Sequence, residues 1–186
     1  MLIKINLDGT YAMISMAPGL TEATFNSINK KGEPVFLKIK IEPPAYPLLP
    51  NVYNLCFGPP LPDGNIDDRA QISHGDLNKL FSTIILFCLM FLDENPDVTI
   101  GLDGSNDVRA YLYHRIFTHN KDYLAEYFVA LGTDWFVRLL RNDDYERHPD
   151  GSAFFKPRSE PFDYQRPVKD LYRYHMFHHK TLKGKN

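Results

Sequence analysis

The chain has 186 residues, 44% of them hydrophobic and 24% charged, with a formal net charge of −2. That length fits one domain with a core of its own, and the balance excludes a wholly disordered chain and a molecule that is basic overall, as many nucleic-acid binders are. Two cysteines, Cys56 and Cys88, cannot build a disulfide framework or a zinc site by themselves. The first residues, Met1-Leu2-Ile3-Lys4-Ile5-Asn6, lack the features of a secretion signal, and the longest apolar run falls short of a membrane span. A cytoplasmic location with no membrane contact is therefore expected.

The first 70 residues read as strands. Residues 11–16 and 23–28 are candidates, and 35–41 is the clearest: Leu37, Ile39 and Ile41 alternate with Lys38 and Lys40, the period of a half-buried strand. Residues 51–57 form a further strand closed by Gly58-Pro59-Pro60. Short turns between most of these runs predict an antiparallel meander. A helix follows from Asp76 to about Leu92. From Ile84 onward it is apolar on every side, so it is expected to be buried, with Cys88 as a core thiol. Residues 97–102 read as a short strand and 107–118 as a second helix. A third helix is expected over 122–131, where Leu124, Tyr127, Phe128 and Leu131 fall at helical spacing and Gly132 is placed to cap it. Residues 135–140 return as a strand, and 142–158 read as a loop with one short strand. The expected fold is α+β: an antiparallel-rich sheet on a buried central helix, with two further helices.

The last 22 residues change character. Residues 165–186 hold six bases and one acid, a charge of +5, against 15 bases and 22 acids in residues 1–164, a charge of −7. Residues 1–164 are thus expected to be the domain and 165–186 a basic, aromatic tail. Arg166, Lys169, Arg173, Tyr174, His178, His179 and Lys180 are its candidate contacts to a macromolecular partner, protein or nucleic acid. His175, His178 and His179 have a spacing that on a helix could meet one metal ion, but no carboxylate or cysteine lies close enough in sequence to complete a set. No metal and no cofactor are expected. The sequence leaves the oligomeric state open.

A second candidate is the turn into the second helix. Gly104 permits a tight turn, and Ser105 or Asn106 can cap the helix. On a helical wheel Val108, Leu112 and Ile116 form the expected core stripe. Arg115 falls about 20° from Val108 on that wheel, and Tyr113 stands one turn after Arg109. Arg109 lies where the helix dipole disfavours a cation. Two arginines so placed call for partners. These are either Asp103 and Asp107, in a purely structural network, or an anion held by Ser105, Asn106, Arg109, Tyr113 and Arg115.

Other chemistry is thinly represented. Residues 63–74 open like a calcium loop, but Asp68 stands where glycine is required and His74 where glutamate is required, so a solvated turn is expected. No nucleophile elbow, zinc-protease helix or redox cysteine pair is present. Cys56 and His74 are far apart in sequence. A ribonuclease-like site would draw on His114, Arg109, Tyr113 and Arg115, although His114 lies about 140° from Arg109 on the wheel.

Gly104-Ser105-Asn106 with Arg109, Leu112-Tyr113 and Arg115 resembles the central signature of a family of small uncharacterised bacterial proteins. Tyr53-Asn54-Leu55-Cys56-Phe57-Gly58 and Ile72-Ser73 ahead of the long apolar helix do so as well. The resemblance covers about residues 50–140 and implies no catalytic residue, since the family has no assigned activity. The reading favoured by sequence is a non-enzymatic binding module acting through its basic arm. The alternative is a phosphate-directed enzyme, such as a toxin of a toxin–antitoxin pair, acting between Asp103 and Arg115.

Overall fold

The alternation of residues 35–41 is realised as a strand whose Leu37, Ile39 and Ile41 are buried while its lysines face outward. The structure, a computed structural model, describes residues 2–67, 70, 72–104, 106–142 and 144–180. In chain order the elements are β1 (Met13–Met16), β2 (Glu22–Ile28), β3 (Pro34–Glu42), β4 (Val52–Gly58), α1 (Leu77–Glu94), β5 (Thr99–Asp103), α2 (Asp107–His119), α3 (Lys121–Leu124), β6 (Phe128–Val137), β7 (Phe155–Pro161) and β8 (Tyr174–His179). All eight strands form one sheet in the order β1-β2-β3-β4-β5-β8-β6-β7. The fold is α+β and mostly antiparallel, as the composition of elements predicted. Strands β1 to β4 are the expected meander. The single parallel pair is β4 with β5, joined through α1 as a helical crossover.

Helix α1 begins and ends where its sequence says it should. Asp76 caps it, accepting from the Lys79 amide at 2.9 Å, and the backbone N–H of Asn95 closes it on the Phe91 carbonyl. Ile84, Ile85, Phe87, Cys88, Phe91 and Leu92 are buried, on more than one side of the helix. Burial also pushes the Cys88 thiol well above its ordinary range, so it is inert core. Side chains of the helices tie down the N-terminal segment. Asn120 accepts from the Ile5 amide at 2.8 Å and donates to the Ile3 carbonyl at 2.9 Å, and Ser82 and Thr83 accept from Asn6 and Tyr11. Of the described residues, no helix is long and apolar enough to cross a membrane.

Three expectations are corrected. The third helix stops at Leu124; Phe128 to Val137 form β6 instead. The helical spacing of Phe128 and Leu131 was coincidental, since both also fit a strand pressed against β8 and β7. Gly132 is mid-strand rather than a cap. A Cβ there would lie 2.3 Å from the Tyr172 ring, so the missing side chain makes room for that tyrosine.

The second correction concerns α2. Its buried face is Ala110, Tyr113, His114, Ile116 and Phe117, while Val108 is 78% exposed. The aromatic groups of Tyr113, His114 and Phe117 win the inner face because Phe162 and His175 meet them there.

The third and largest correction is the tail. Tyr174–His179 is an inner strand, hydrogen-bonded to β5 on one side and β6 on the other. An inner strand covered on both faces shows a continuous buried run rather than alternation, and Tyr174, His175, Met176 and Phe177 are all buried. The domain therefore runs to at least Lys180. Residues 181–186, with Lys183 and Lys185, lie outside the described residues.

Replacing Gly132 with alanine forces a methyl group into the Tyr172 ring. The expected loss is ~1–3 kcal/mol, as for other overpacked core sites, read as a lower midpoint in thermal or urea unfolding.

Candidate functional site

Strands β4 and β5 pair over only three positions, Val52 with Thr99, Tyr53 with Ile100 and Asn54 with Gly101. Beyond that point each is drawn away. Residues 54–58 stay paired to β3, and Leu102 and Asp103 stay paired to β8. The loop after β4 reinforces the divergence: a Cβ on Gly58 would lie 2.5 Å from the Asp67 carbonyl oxygen, so only glycine lets that loop close in. The result is a cleft of about 290 Å³ at the carboxyl ends of the two parallel strands.

Its walls divide by chemistry. Phe57, Leu77, Leu80, Phe81 and Leu112 supply apolar surface, with the Phe57 and Phe81 rings edge to face at 5.9 Å. Asn54, Cys56, His74, Asp103, Arg109 and Tyr113 supply polar groups. A directed chain of hydrogen bonds runs along the β4 side. The Tyr174 hydroxyl donates to Asn54 Oδ1 at 3.3 Å, Asn54 Nδ2 donates to Cys56 Sγ at 3.2 Å, and the thiol donates to Glu42 Oε2 at 3.8 Å. Lys40 holds the other oxygen of Glu42 at 2.9 Å. Burial pushes the Tyr174 phenol upward, aided by the charges of Tyr46, Asp103 and Cys56, so this hydroxyl stays a donor. Tyr174 reaches Asn54 only because Gly101 has no side chain; a Cβ there would lie 2.2 Å from the hydroxyl oxygen.

His74 enters from the other side. Its Nδ1 is 3.0 Å from Ser27 Oγ, and burial lowers its pKa, favouring the neutral ring. Ser27 shares the inner face of β2 with Ala23 and Phe25. Cys56 shares the outer face of β4 with Val52 and Asn54, while Tyr53 and Phe57 turn inward onto α1. Thiol and imidazole thus reach the cleft from opposite faces of the sheet. The two groups are therefore set on different sides of the cleft.

The turn into α2 completes the site. Gly104 donates its amide to the Arg173 carbonyl at 2.9 Å, and Asn106 caps the helix by accepting from the Arg109 amide at 2.9 Å. Asp107 pairs with Arg173 at 2.6 Å rather than with an arginine of its own helix. Among the anion-site candidates, Arg109 and Tyr113 line the cleft and Asn106 caps the helix above it. Arg115 is turned elsewhere, with its guanidinium stacked 5.6 Å from the Tyr111 ring. Ser105 lies outside the described residues. His114 packs on Phe162, away from Arg109, as the wheel indicated.

The tail candidates are distributed through the fold. Arg166 bonds Asp134 at 2.6 Å, approaches Glu160 and Asp170, donates from Nε to the Asp170 carbonyl and stacks 3.9 Å over Tyr172. Arg173 holds Asp107, His179 meets Asp93 at 2.9 Å, and Lys180 donates to the Ala125 carbonyl at 2.6 Å. Tyr174 is buried, His178 is half-buried with Nδ1 on the His179 carbonyl, and Lys169 is exposed on the 168–170 turn. In a strand, His178 faces opposite to His175 and His179, so the helical spacing for a metal is not realised. No cluster of metal-ligating side chains occurs among the described residues.

A second cavity of about 640 Å³ opens on the outer face. Tyr46, Leu48, Trp135, His148, Phe154 and Phe155 line it, with the Tyr46 and Trp135 rings 5.0 Å apart.

Sequence reading missed Asn54, Cys56 and His74 as site residues. The strand–helix–strand order of 51–57, 76–92 and 97–102 was the available signal, since a helical crossover makes its two strands parallel and commonly adjacent. No curated protein and no solved structure matches the chain. Residues 9–154 match a family model that spans every residue lining the cleft and ends just before β7. The chain therefore belongs to the family of unknown function DUF6934.

Proposed function

We propose that the protein binds a small ligand with an anionic group, phosphate or carboxylate, and an apolar body in the cleft between β4 and β5. The parting of these two strands is the observation that carries this reading, because open sheets with parallel strands tend to bind ligands outside the carboxyl ends of the strands where neighbours diverge. Arg109, one turn into α2, supplies a cation beside the positive end of a 13-residue helix. Asn54 supplies an oriented amide, and Phe57, Phe81 and Leu112 supply surface for the apolar part. The volume suits a compact ligand, at the small end of known ligand pockets.

Binding accounts for the site better than phosphate-directed catalysis does. His74 is the one imidazole among the described residues lining the cleft, and its Nδ1 is engaged with Ser27. His114, the acid or base expected of a ribonuclease-like site, faces Phe162 instead.

A macromolecular partner is a second reading, now without the arm. Beyond Thr133 the β6–β7 pair runs past β8 as a two-stranded ribbon. It carries Phe136 and Phe155 exposed, and Leu139 and Leu140 follow β6, Leu139 78% exposed. Exposed apolar groups concentrated in one ribbon and the residues just after its first strand favour a protein contact.

Titration calorimetry with inorganic phosphate, phosphate monoesters and small carboxylates tests the first reading. Saturable binding is expected for at least one, weakened about 10–100-fold by Arg109→Ala, the usual range for a lost hydrogen bond to a charged group. An Arg109→Ala protein that binds equally well, or a wild type that saturates with none of them, contradicts it. Under the second reading, Leu139→Asp with Phe155→Asp abolishes capture of a protein partner while leaving the melting temperature close to wild type.

A further inference from the structure

Residues 162–173 connect β7 to β8 and close a box of rings around β8. Phe162 stacks on Phe117 at 5.2 Å and meets His114, Tyr172 and His175 at 5.4, 5.4 and 5.8 Å. The His175 ring is enclosed by Tyr113, Phe117, Phe162 and Tyr172, with centroids 5.8–6.3 Å away. It is 0% exposed, and His114 is 6% exposed. Neither nitrogen of His175 has a hydrogen-bond partner, and Nδ1 of His114 has none.

An imidazole so placed is stable only without its extra proton, because a charge in apolar surroundings needs a partner. The groups facing the pair do not supply one to His175. From α2 come His114, Arg115 and His119; from residues 162–173 come Asp163 and Arg166. Arg166 and His114 oppose a proton on His175. Asp163 favours one on His114, against burial and the cations of Arg166, Arg115 and His119. The remaining acids nearby, Asp134, Glu160 and Asp170, are engaged with Arg166, and Glu160 also accepts from the Tyr172 hydroxyl at 2.7 Å. Burial, the larger cause, pushes His175 from 6.5 down to about 3 and lowers His114 as well.

We propose that His114 and His175 form an acid-sensitive latch. With both rings neutral, the aromatic box closes and residues 162–173 hold α2 against β8. Proton uptake opens the box while the α1 half stays folded. That half brings burial of its own: Phe25, Leu37, Ile39, Ile84, Phe87 and Leu92 on α1 and β2–β3 are buried in the core they share with Phe117, Phe162 and Tyr172. What otherwise fastens residues 162–173 is the buried Leu171, the ion pairs of Arg166 with partly exposed acids, and a few hydrogen bonds such as Phe162 N–H to the Ala130 carbonyl at 3.1 Å. Tyr113 forms both a side of the box and a wall of the cleft, so opening also loosens the cleft. That last consequence rests on the ligand-binding reading; the latch does not.

Hydrogen exchange of the full chain between pH 7.5 and 5, corrected for intrinsic rates, reads the latch directly. Below about 6.5, the ordinary imidazole value, opening of α2 and residues 162–173 should rise up to about tenfold per pH unit for one proton taken up, and up to about a hundredfold for two. Amides of β2, β3 and α1 should hold their protection. His175→Phe keeps a flat ring and takes no proton, so the slope should flatten. Opening that does not change with pH, or exchange of β2, β3 and α1 in step with α2, overturns the latch. So does an unchanged slope in His175→Phe. If that variant fails to fold, the wild-type profile still decides, and a protein that binds no anion leaves this result unaffected.

Discussion

The sheet is held in one piece by its last strand. β5 and β6 do not pair with each other; each pairs with β8. Without Tyr174–His179, the β6–β7 hairpin would have no bonded neighbour in the sheet, and β5 would retain only its three-position pairing with β4. Two strand glycines show how tightly this insertion is fitted. Gly101 in β5 makes room for the Tyr174 ring and Gly132 in β6 for the Tyr172 ring. A glycine inside a strand normally weakens it, and its presence marks a close approach. Here both approaches come from the segment that inserts.

The cleft follows from the same insertion. β5 is pulled toward β8 and β4 toward β3, and the gap between them is where polar groups from both faces of the sheet converge. The hydroxyl of Tyr174, itself part of β8, fixes the Asn54 amide on the cleft wall. Strand pairing and site geometry are therefore one construction. Electrostatics tell the same story: two cations of the expected basic arm neutralise acids of the body, Arg166 with Asp134 and Arg173 with Asp107.

Much of the fold was legible where one face of an element meets water. Residues 35–41 alternate, Asp76 and Asn95 bound α1, and the meander follows from short turns. Elements buried on both faces were opaque. Tyr174–Phe177 carries no alternation, because each of these side chains is covered whichever way it points, and the three histidines of β8 read as polar although His175 is buried deepest of the three. Phe128 and Leu131 fit helical spacing, yet in β6 they face opposite sides of the sheet, and only the pairing with β8 chooses the strand. In the site, Arg109 and Tyr113 could be found from the helix start alone. Asn54, Cys56 and His74 could not, since their convergence depends on which strands become neighbours.

A chain ending at Pro161 separates an inner strand from an appended arm most directly. If 174–179 completes the sheet, this shortened protein should lose its near-ultraviolet circular dichroism and its cooperative melt. A shortened protein that keeps both, with an unchanged melting temperature, would show that the body folds without β8 and would contradict the architecture on which the cleft depends.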